Sequence, residues 1–406
     1  MSDKKTKNIS IYITFDGISD PLGQSQIIPY LEAYVFENID FYLISLEKKS
    51  LLSNFIPPNI FKKNNFFWRY GLFLESHSNI FKFFDFFKLF FLCIKICLKK
   101  NVKTIHCRGL HPALIGIFLK YFFNSKLIFD MRGFWIDEKN DIGRINKKLF
   151  IDSFIYNIVK KIEEVIIIKS DHIVVLTKKA KKYLSGIYFC KQKISTIPCS
   201  VDFKEFQKKS INFNKKNFLK ENFIPKNSTI MSYCGSLGGY YMIDQMLEVF
   251  DYFFKKNKNF YFLFITRDSA ILEEKIKNKS YKKNIISVAS SWDSVACYLS
   301  VSNFMISFIK PTFAKIASSP TKISEAFAVG IPVISNKDIG DLNEIIANNM
   351  LGYVINVEEK GYLVDLEKKI KKIKAISKRH IHKYSKPIFD LNIAKHKYKK
   401  IYEKFI

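Results

Sequence analysis

The sequence predicts an α/β protein built from two doubly wound, parallel-sheet domains. Three observations carry that prediction. Apolar strand-like runs alternate with helical stretches along most of the chain, the signature of βαβ units. Twice such a run passes directly into a glycine loop, in ITFDGISDPLG near the start and in MSYCGSLGG from residue 231. With 406 residues, 48% of them hydrophobic, the chain is long enough for two domains with substantial cores.

In chain order, Ile9, Ile11, Ile13 and Phe15 alternate as a first strand. Gly17, Pro21 and Gly23 make the loop that follows, and Ser25 is placed to cap a helix beginning at Gln26. Neither the GxGxxG fingerprint nor the P-loop pattern is present, which excludes a Rossmann dinucleotide site or an NTPase here. Strand-like runs recur at 41–46, 103–107, 126–130, 172–176 and 193–198. The polar stretch from Asp202 to Asn227, rich in Lys and Asn, reads as an interdomain linker. The pattern then restarts at STIMSYC, with further strands at 260–266, 284–288, 303–308, 331–334 and 352–357. This divides the chain into residues 1–205, 206–386 and a closing helix, 387–406, that returns to the first domain. Two such domains are expected to face a cleft walled by their glycine loops.

The segment SSPTKISEAFAVGIPVIS, residues 318–335, reads as a helix start aimed at an anion. Ser319 can cap the turn, and Pro320 suits the first helical position. Lys322 and Glu325, three apart, share a face, and Gly330 stops the helix. A helix N-terminus with a lysine in its first turn offers N–H groups and positive charge to a phosphate. An ordinary capped helix with a surface ion pair is the alternative.

The formal net charge of +29 is almost all lysine, with arginine only at Arg69, Arg108, Arg132, Arg144, Arg267 and Arg379. Arg-poor basicity lacks the planar forks that clamp nucleic acid, so no nucleic-acid partner is expected. An anionic membrane surface is a compatible partner. The seven cysteines are scattered without a zinc-like spacing, so no metal site is expected. MSDKKTKNIS has no apolar signal core, which points to the cytosol. No run is long and apolar enough to span a membrane. Residues 81–100, FKFFDFFKLFFLCIKICLKK, form an apolar helix studded with Lys82, Lys88, Lys95, Lys99 and Lys100. It reads either as a core helix of the first domain or as an interfacial one whose lysines snorkel.

DGISDPLGQSQ, HCRGLHPALIG, FDMRGFWIDE, SDHIVVLT, IPCSVD, YCGSLGG and SSPTKISEAFAVGIPVIS occur in that order. Together they resemble the family-four retaining glycosyltransferases of GT-B fold, over most of the chain. The resemblance implies a nucleotide-sugar donor on the C-terminal domain and a saccharide or lipid-linked acceptor on the N-terminal one. It implies no metal or other cofactor, and a role in surface polysaccharide or lipopolysaccharide assembly. An inactive relative or a basic scaffold is the alternative.

By the same resemblance, Glu325 grips the ribose hydroxyls. Gly23 with Gln24, and Gly235 with Ser236, form loops that let backbone approach phosphates and sugar. The sequence also departs from the family. Ala317 stands where a second glutamate usually touches the transferred sugar, leaving Ser318, Ser319 and Thr321 as nearby candidates. Tyr240, Tyr241 and Met242 follow YCGSLGG where a basic pair is usual, and Lys322 is the expected replacement. Arg108 occupies the place of a sugar-contacting histidine, and Arg132 ends the next strand; both are candidate catalytic residues. Asp137, with Glu138, is expected to bind a sugar hydroxyl or to pair with Arg132. His106 falls within a strand and reads as a core residue, while His111 stays a catalytic alternative.

Overall fold

A computed structural model describes residues 8–74, 79–188, 193–289 and 292–406. The chain divides into two units, Met1–Pro198 with Asn392–Ile406, and Cys199–Leu391. Each unit is built on one parallel sheet.

The first sheet contains β1 (Asn8–Thr14), β2 (Ile39–Glu47), β3 (Phe66–Leu72), β4 (Val102–Arg108), β5 (Lys126–Met131), β6 (His172–Val175) and β7 (Ile194–Thr196). Their order is β3-β2-β1-β4-β5-β6-β7. The central strands are buried on both faces, so the alternation read in β1 does not mark a solvent-facing side. β3 has no counterpart among the predicted runs. It is an edge strand, FFWRYGL, with Tyr70 and Leu72 exposed, so its pattern is neither continuous nor cleanly alternating. Strand order reverses between β1 and β4, where Thr14 pairs with Arg108 and Arg108 with Asp130. In open parallel sheets ligands bind beside this reversal, at the carboxyl ends of the strands.

The helix after β1 is Pro21–Gln26, with Pro21 in its first turn. The expected Ser25 cap is therefore wrong: Ser25 sits inside this helix, and its hydroxyl donates to the Pro21 carbonyl. Proline wins the start because its missing N–H would be unsatisfied there anyway. The preceding loop is anchored by Glu47 at the end of β2, which is fully buried. Its carboxylate accepts from the Ile18 N–H (2.7 Å), the Ser19 N–H (3.0 Å) and hydroxyl (2.6 Å), and the Ser45 hydroxyl (2.5 Å).

The second sheet runs β8 (Thr229–Cys234), β9 (Phe260–Ile265), β10 (Ile285–Val288), β11 (Phe304–Ser307), β12 (Val333–Asn336) and β13 (Gly352–Ile355). Its order is β10-β9-β8-β11-β12-β13, reversing between β8 and β11. The stretch expected as a linker is instead two helices, Phe203–Asn212 and Lys215–Glu221. Asp202 and Asn214 cap them by accepting backbone N–H groups at 3.0 Å. Phe203, Phe206 and Phe218 enter the core with Phe327, Ile381 and Phe389, which outweighs the polar average of the stretch. At the far end of the unit, the Lys378–Phe389 helix packs on the Thr321–Val329 helix. The Leu391–Tyr402 helix then returns the chain to the first unit.

Only hydrogen-bond donors point at Glu47. Glu47→Gln would turn an amide donor toward them, and we expect a loss of about 1–3 kcal/mol. Equilibrium denaturation in urea measures it, with unchanged stability counting against the anchoring role.

Candidate functional site

The carboxyl edge of the second sheet gathers the Gly235 loop and the start of the Thr321–Val329 helix. Gly235 follows β8 with φ of +116°, a conformation that needs glycine. A Cβ there would lie 2.7 Å from the Lys322 Nζ, so the glycine also makes room for the lysine. Lys322 is buried and donates to the Tyr233 hydroxyl at 2.9 Å. That hydroxyl in turn donates to the Ser236 carbonyl at 2.5 Å. The Lys322 ammonium also lies 3.6 Å from the Tyr241 ring centre and 4.3 Å from that of Tyr233. Ring faces stabilise a cation without consuming its N–H donors.

Glu325 lies one turn further along, buried and beside Lys322. Burial pushes its carboxyl up to about 7, opposed by the Lys322 charge and the nearby Trp292 indole. The indole N–H is itself buried and makes no hydrogen bond of ordinary geometry. Thr321 opens the helix, and its carbonyl accepts from the Ser324 hydroxyl. Ser319 does not cap it. Pro320 holds the N-cap position, and the Ser319 hydroxyl accepts from the Cys199 N–H at 3.2 Å. Gly330 ends the helix in a left-handed conformation, φ +83°.

Lys315 was not among the predicted site residues. It is buried in the turn before this helix, with its Nζ 3.4 Å from the Tyr240 ring centre. The two tyrosines found where the resemblance expects basic residues thus each hold a lysine supplied from the other side of the loop. A lysine brought in from 70 or more residues away leaves no mark in local spacing. Ala317, in the same turn, is buried and supplies no polar group.

In the first unit the strand ends gather around Asp130, which is buried on β5. Its Oδ2 accepts from the Tyr398 hydroxyl at 3.2 Å and lies 3.9 Å from Arg108 Nη1; its Oδ1 lies 3.5 Å from Arg132 Nη1. The two guanidinium groups and neighbouring His106 hold its carboxyl well below the usual carboxylate range, against burial. Arg108 is buried and also donates to Asp16 at 3.1 Å, while Arg132 donates to the Gln26 side chain at 3.3 Å. The two arginines are thus brought together around Asp130, a strand-end carboxylate of FDMRG that local spacing does not single out.

Asp137 is placed elsewhere. Its carboxylate accepts from the Tyr156 hydroxyl (2.5 Å) and Lys160 (2.9 Å), so the expected pairing with Arg132 is replaced by one with the Phe150–Lys169 helix. His106 is fully buried, its Nδ1 2.9 Å from the Tyr402 hydroxyl, as a core residue would be. His111 packs edge-on against Trp135. Gly23 and Gln24 lie within the Pro21–Gln26 helix, not in the expected loop, and glycine is required there because a Cβ would meet the Gly17 carbonyl of the preceding loop at 2.1 Å. The Gln24 amide donates to the Ser19 carbonyl at 2.9 Å. Among the described residues, no group of three or more His, Cys, Asp or Glu is arranged to hold a metal ion.

Removing the charge of Asp130 would leave two arginines facing each other without it. Asp130→Asn should cost on the order of 3 kcal/mol at neutral pH. Because the folded carboxyl is depressed, its contribution is full above the unfolded value of ~4 and is lost as pH falls from there. Urea denaturation between pH 3 and 7 should therefore show the variant and the parent converging toward acid. A constant gap would contradict the charge assignment.

Residues 214–386 match the sequence model of the family Glycosyl transferases group 1. A search of curated proteins found no match. Among solved structures, the chain is similar to sucrose-phosphate synthase from Thermosynechococcus elongatus, at TM-score 0.70 and 13% identity, covering 98% of each chain. It is also similar to a glycosyltransferase from Rickettsia africae, at TM-score 0.69 and 18% identity, covering 99% of each. HepE from Anabaena, solved in complex with UDP-glucose, aligns at TM-score 0.67 and 8% identity, covering 98% of this chain and 99% of that one. The protein described here is a glycosyltransferase with a group 1 domain and the two-domain GT-B fold.

Proposed function

We propose that the protein is a retaining enzyme that moves a sugar from a nucleotide-sugar donor to a saccharide or lipid-linked saccharide. We place it in the assembly of surface polysaccharide or lipopolysaccharide, in the cytoplasm, as a peripheral protein at the inner face of the plasma membrane. The observation that supports this most is the buried Lys322–Glu325 pair beside Gly235, within the matched group 1 domain.

The reading assigns each group by its chemistry. Negative charge develops on the departing diphosphate during transfer, and preoriented donors there lower the barrier. Lys322 and the first N–H groups of its helix supply them, in place of a metal. Lys315, turned toward Tyr240, adds charge to the same loop region. Glu325 as a carboxylate accepts from the two vicinal ribose hydroxyls. Ser319, Thr321, Ser236 and the Gly235 backbone border the donor. Arg108 and Arg132 are assigned to the transferred sugar or the acceptor, and Gly23 with Gln24 to the nucleotide-sugar. Asp137 is better read as a brace for its neighbouring helix, given Tyr156 and Lys160. Ala317 favours one other reading, a domain that retains donor binding without turnover.

Calorimetric titration with UDP and uridine tests the donor assignments, with GDP and guanosine as the second nucleotide pair. Loss of a charge-assisted contact costs about 1.5–3 kcal/mol, or roughly one to two orders of magnitude in affinity. Lys322→Ala should lose that much for the diphosphate and little for the nucleoside; Glu325→Gln should weaken both. Unchanged diphosphate affinity in Lys322→Ala would place the phosphate site elsewhere. Product formation from the nucleotide-sugar separates an active transferase from the donor-binding alternative.

The same assignments predict a pH dependence. With the free carboxyl at about 7, ribose binding must ionise it, so affinity should fall by about tenfold per pH unit below that value. Above it, affinity should level off. Glu325→Gln should flatten the profile, and a parent profile already flat between pH 5 and 8 would count against a ribose-holding carboxylate.

A further inference from the structure

We propose that the outward face of the Phe150–Lys169 helix, together with the Leu110–Phe123 helix beside it, is the surface on which this protein docks to an anionic lipid bilayer. The proposal rests on the membrane placement in the reading above and names the face responsible.

The starting observation is a helix that turns apolar residues to both sides. Toward its own unit it presents Ile166 and Ile167, and also Tyr156, Lys160 and Glu163, which satisfy Asp137 and one another. Away from it stand Phe150 (87% exposed), Ile151 (70%), Phe154 (60%), Ile158 and Val165. The spacing 151, 154, 158, 165 keeps these on one helical stripe. A helix at the surface of a globular protein normally buries its apolar stripe and exposes its polar one. Here the buffering of Asp137 uses the inner polar groups, and the larger aromatic and β-branched residues are left outside.

The stripe continues across the unit. The crossovers from β3 to β4, β4 to β5 and β5 to β6 all run in one direction along the sheet, so right-handed connections place their helices on one face. The Leu110–Phe123 helix therefore lies beside Phe150–Lys169. A groove of about 450 Å³ between them is lined by Leu114, Ile117, Phe154, Ile158, Ile162 and Val165. Tyr121 and Phe122 stand exposed at its end. The next helix over, Asn79–Lys99, adds Phe83, Phe84 and Phe91, all exposed. The side chains of Phe81 and Lys82, part of the same apolar run, lie outside the described residues. The aromatic pairs Phe15–Phe86 and Phe90–Phe118 hold the rest of that helix against its neighbours. Only part of the run marked by the sequence is thus outward, while the Phe150–Lys169 helix drew no attention there.

Charge decides what covers this face. Exposed lysines at 95, 99, 147, 148, 161 and 169 lie on or next to the three helices. Of the acidic residues among them, Asp85 pairs with Lys88, Glu163 with Lys160 and Glu164 with Lys161, while Asp152 accepts the Asn146 N–H and keeps its charge, so lysines outnumber the unpaired carboxylates along the rim. A second copy docking by twofold symmetry would set this lysine rim against itself. A bilayer carrying anionic headgroups accepts the apolar stripe and the rim together, as in interfacial helices whose lysines reach up to the headgroups. Among the described residues no helix is long and apolar enough to cross the membrane, so the contact is peripheral.

The test is sedimentation of the full chain with vesicles of phosphatidylglycerol and phosphatidylethanolamine, against vesicles of phosphatidylcholine alone. The parent should partition onto the anionic vesicles and far less onto the neutral ones. Phe150→Ser combined with Phe154→Ser should reduce that partition by about tenfold or more, since each removes a ring from the acyl boundary. The substituted rings are exposed, so the thermal midpoint and the affinity for UDP should stay as in the parent. As an independent readout, the emission of Phe154→Trp should shift to the blue on adding anionic vesicles. Equal partition of the double variant and the parent, or no shift from the tryptophan, would overturn the proposal. So would a parent dimer in sedimentation equilibrium that the double variant dissociates, because the face would then be an interface between copies. Vesicle binding of this pattern without sugar transfer would support the docking face and overturn only the proposed function.

Discussion

In a parallel sheet every strand ends on the same edge, and that constraint organises both units of this protein. The loops at that edge are free of the ladder and can carry polar groups that the strands themselves exclude. Hence Glu47, Arg108 and Asp130 stand at the ends of β2, β4 and β5, with Asp16 just beyond β1. In the second unit Gly235 follows β8, and Asp268 follows β9 to accept the Leu237 N–H at 2.8 Å. The register level with Thr14, Arg108 and Asp130 then determines which of these groups can meet.

The two edges handle buried charge in different ways. Around Asp130 the charges are paired within the unit, and the carboxyl is strongly depressed by the arginines. The cluster ties in the returning C-terminal helix through Tyr398. At the second edge, Lys322 rests on tyrosine rings and Glu325 is raised by burial, against the charge of Lys322. A cation held by ring faces keeps donors available, and a carboxyl near neutrality needs a partner to favour its ionised form. The second arrangement is the one on which the proposed donor site rests.

Substitution at the second edge also follows physical logic. Tyr240 and Tyr241 cannot replace basic side chains directly, but their faces seat Lys315 and Lys322, which come from later in the chain. The charge near the Gly235 loop is thereby rebuilt from different residues. Gly235, without a Cβ, leaves the space that the Lys322 ammonium enters.

The sequence by itself determined the fold class, nearly every strand, the reversal-edge glycine loops and the Lys322–Glu325 face. These are written in local periodicity and in three-residue spacing, which the backbone geometry converts directly into structure. Edge strand β3 escaped because its burial is patchy, with Phe66 and Gly71 buried but Tyr70 and Leu72 exposed, and the helices of 202–227 because three phenylalanines are hidden in a polar average. Asp130 as the hub of two arginines, Lys315 beneath Tyr240, Asp137 turned to Tyr156 and the outward stripe of the Phe150–Lys169 helix belong to tertiary structure alone. Each depends on which strands neighbour each other and which side of a helix meets the sheet. Those choices are made by long-range packing, where residues far apart in the chain compete for the same partner, and no local spacing records the outcome.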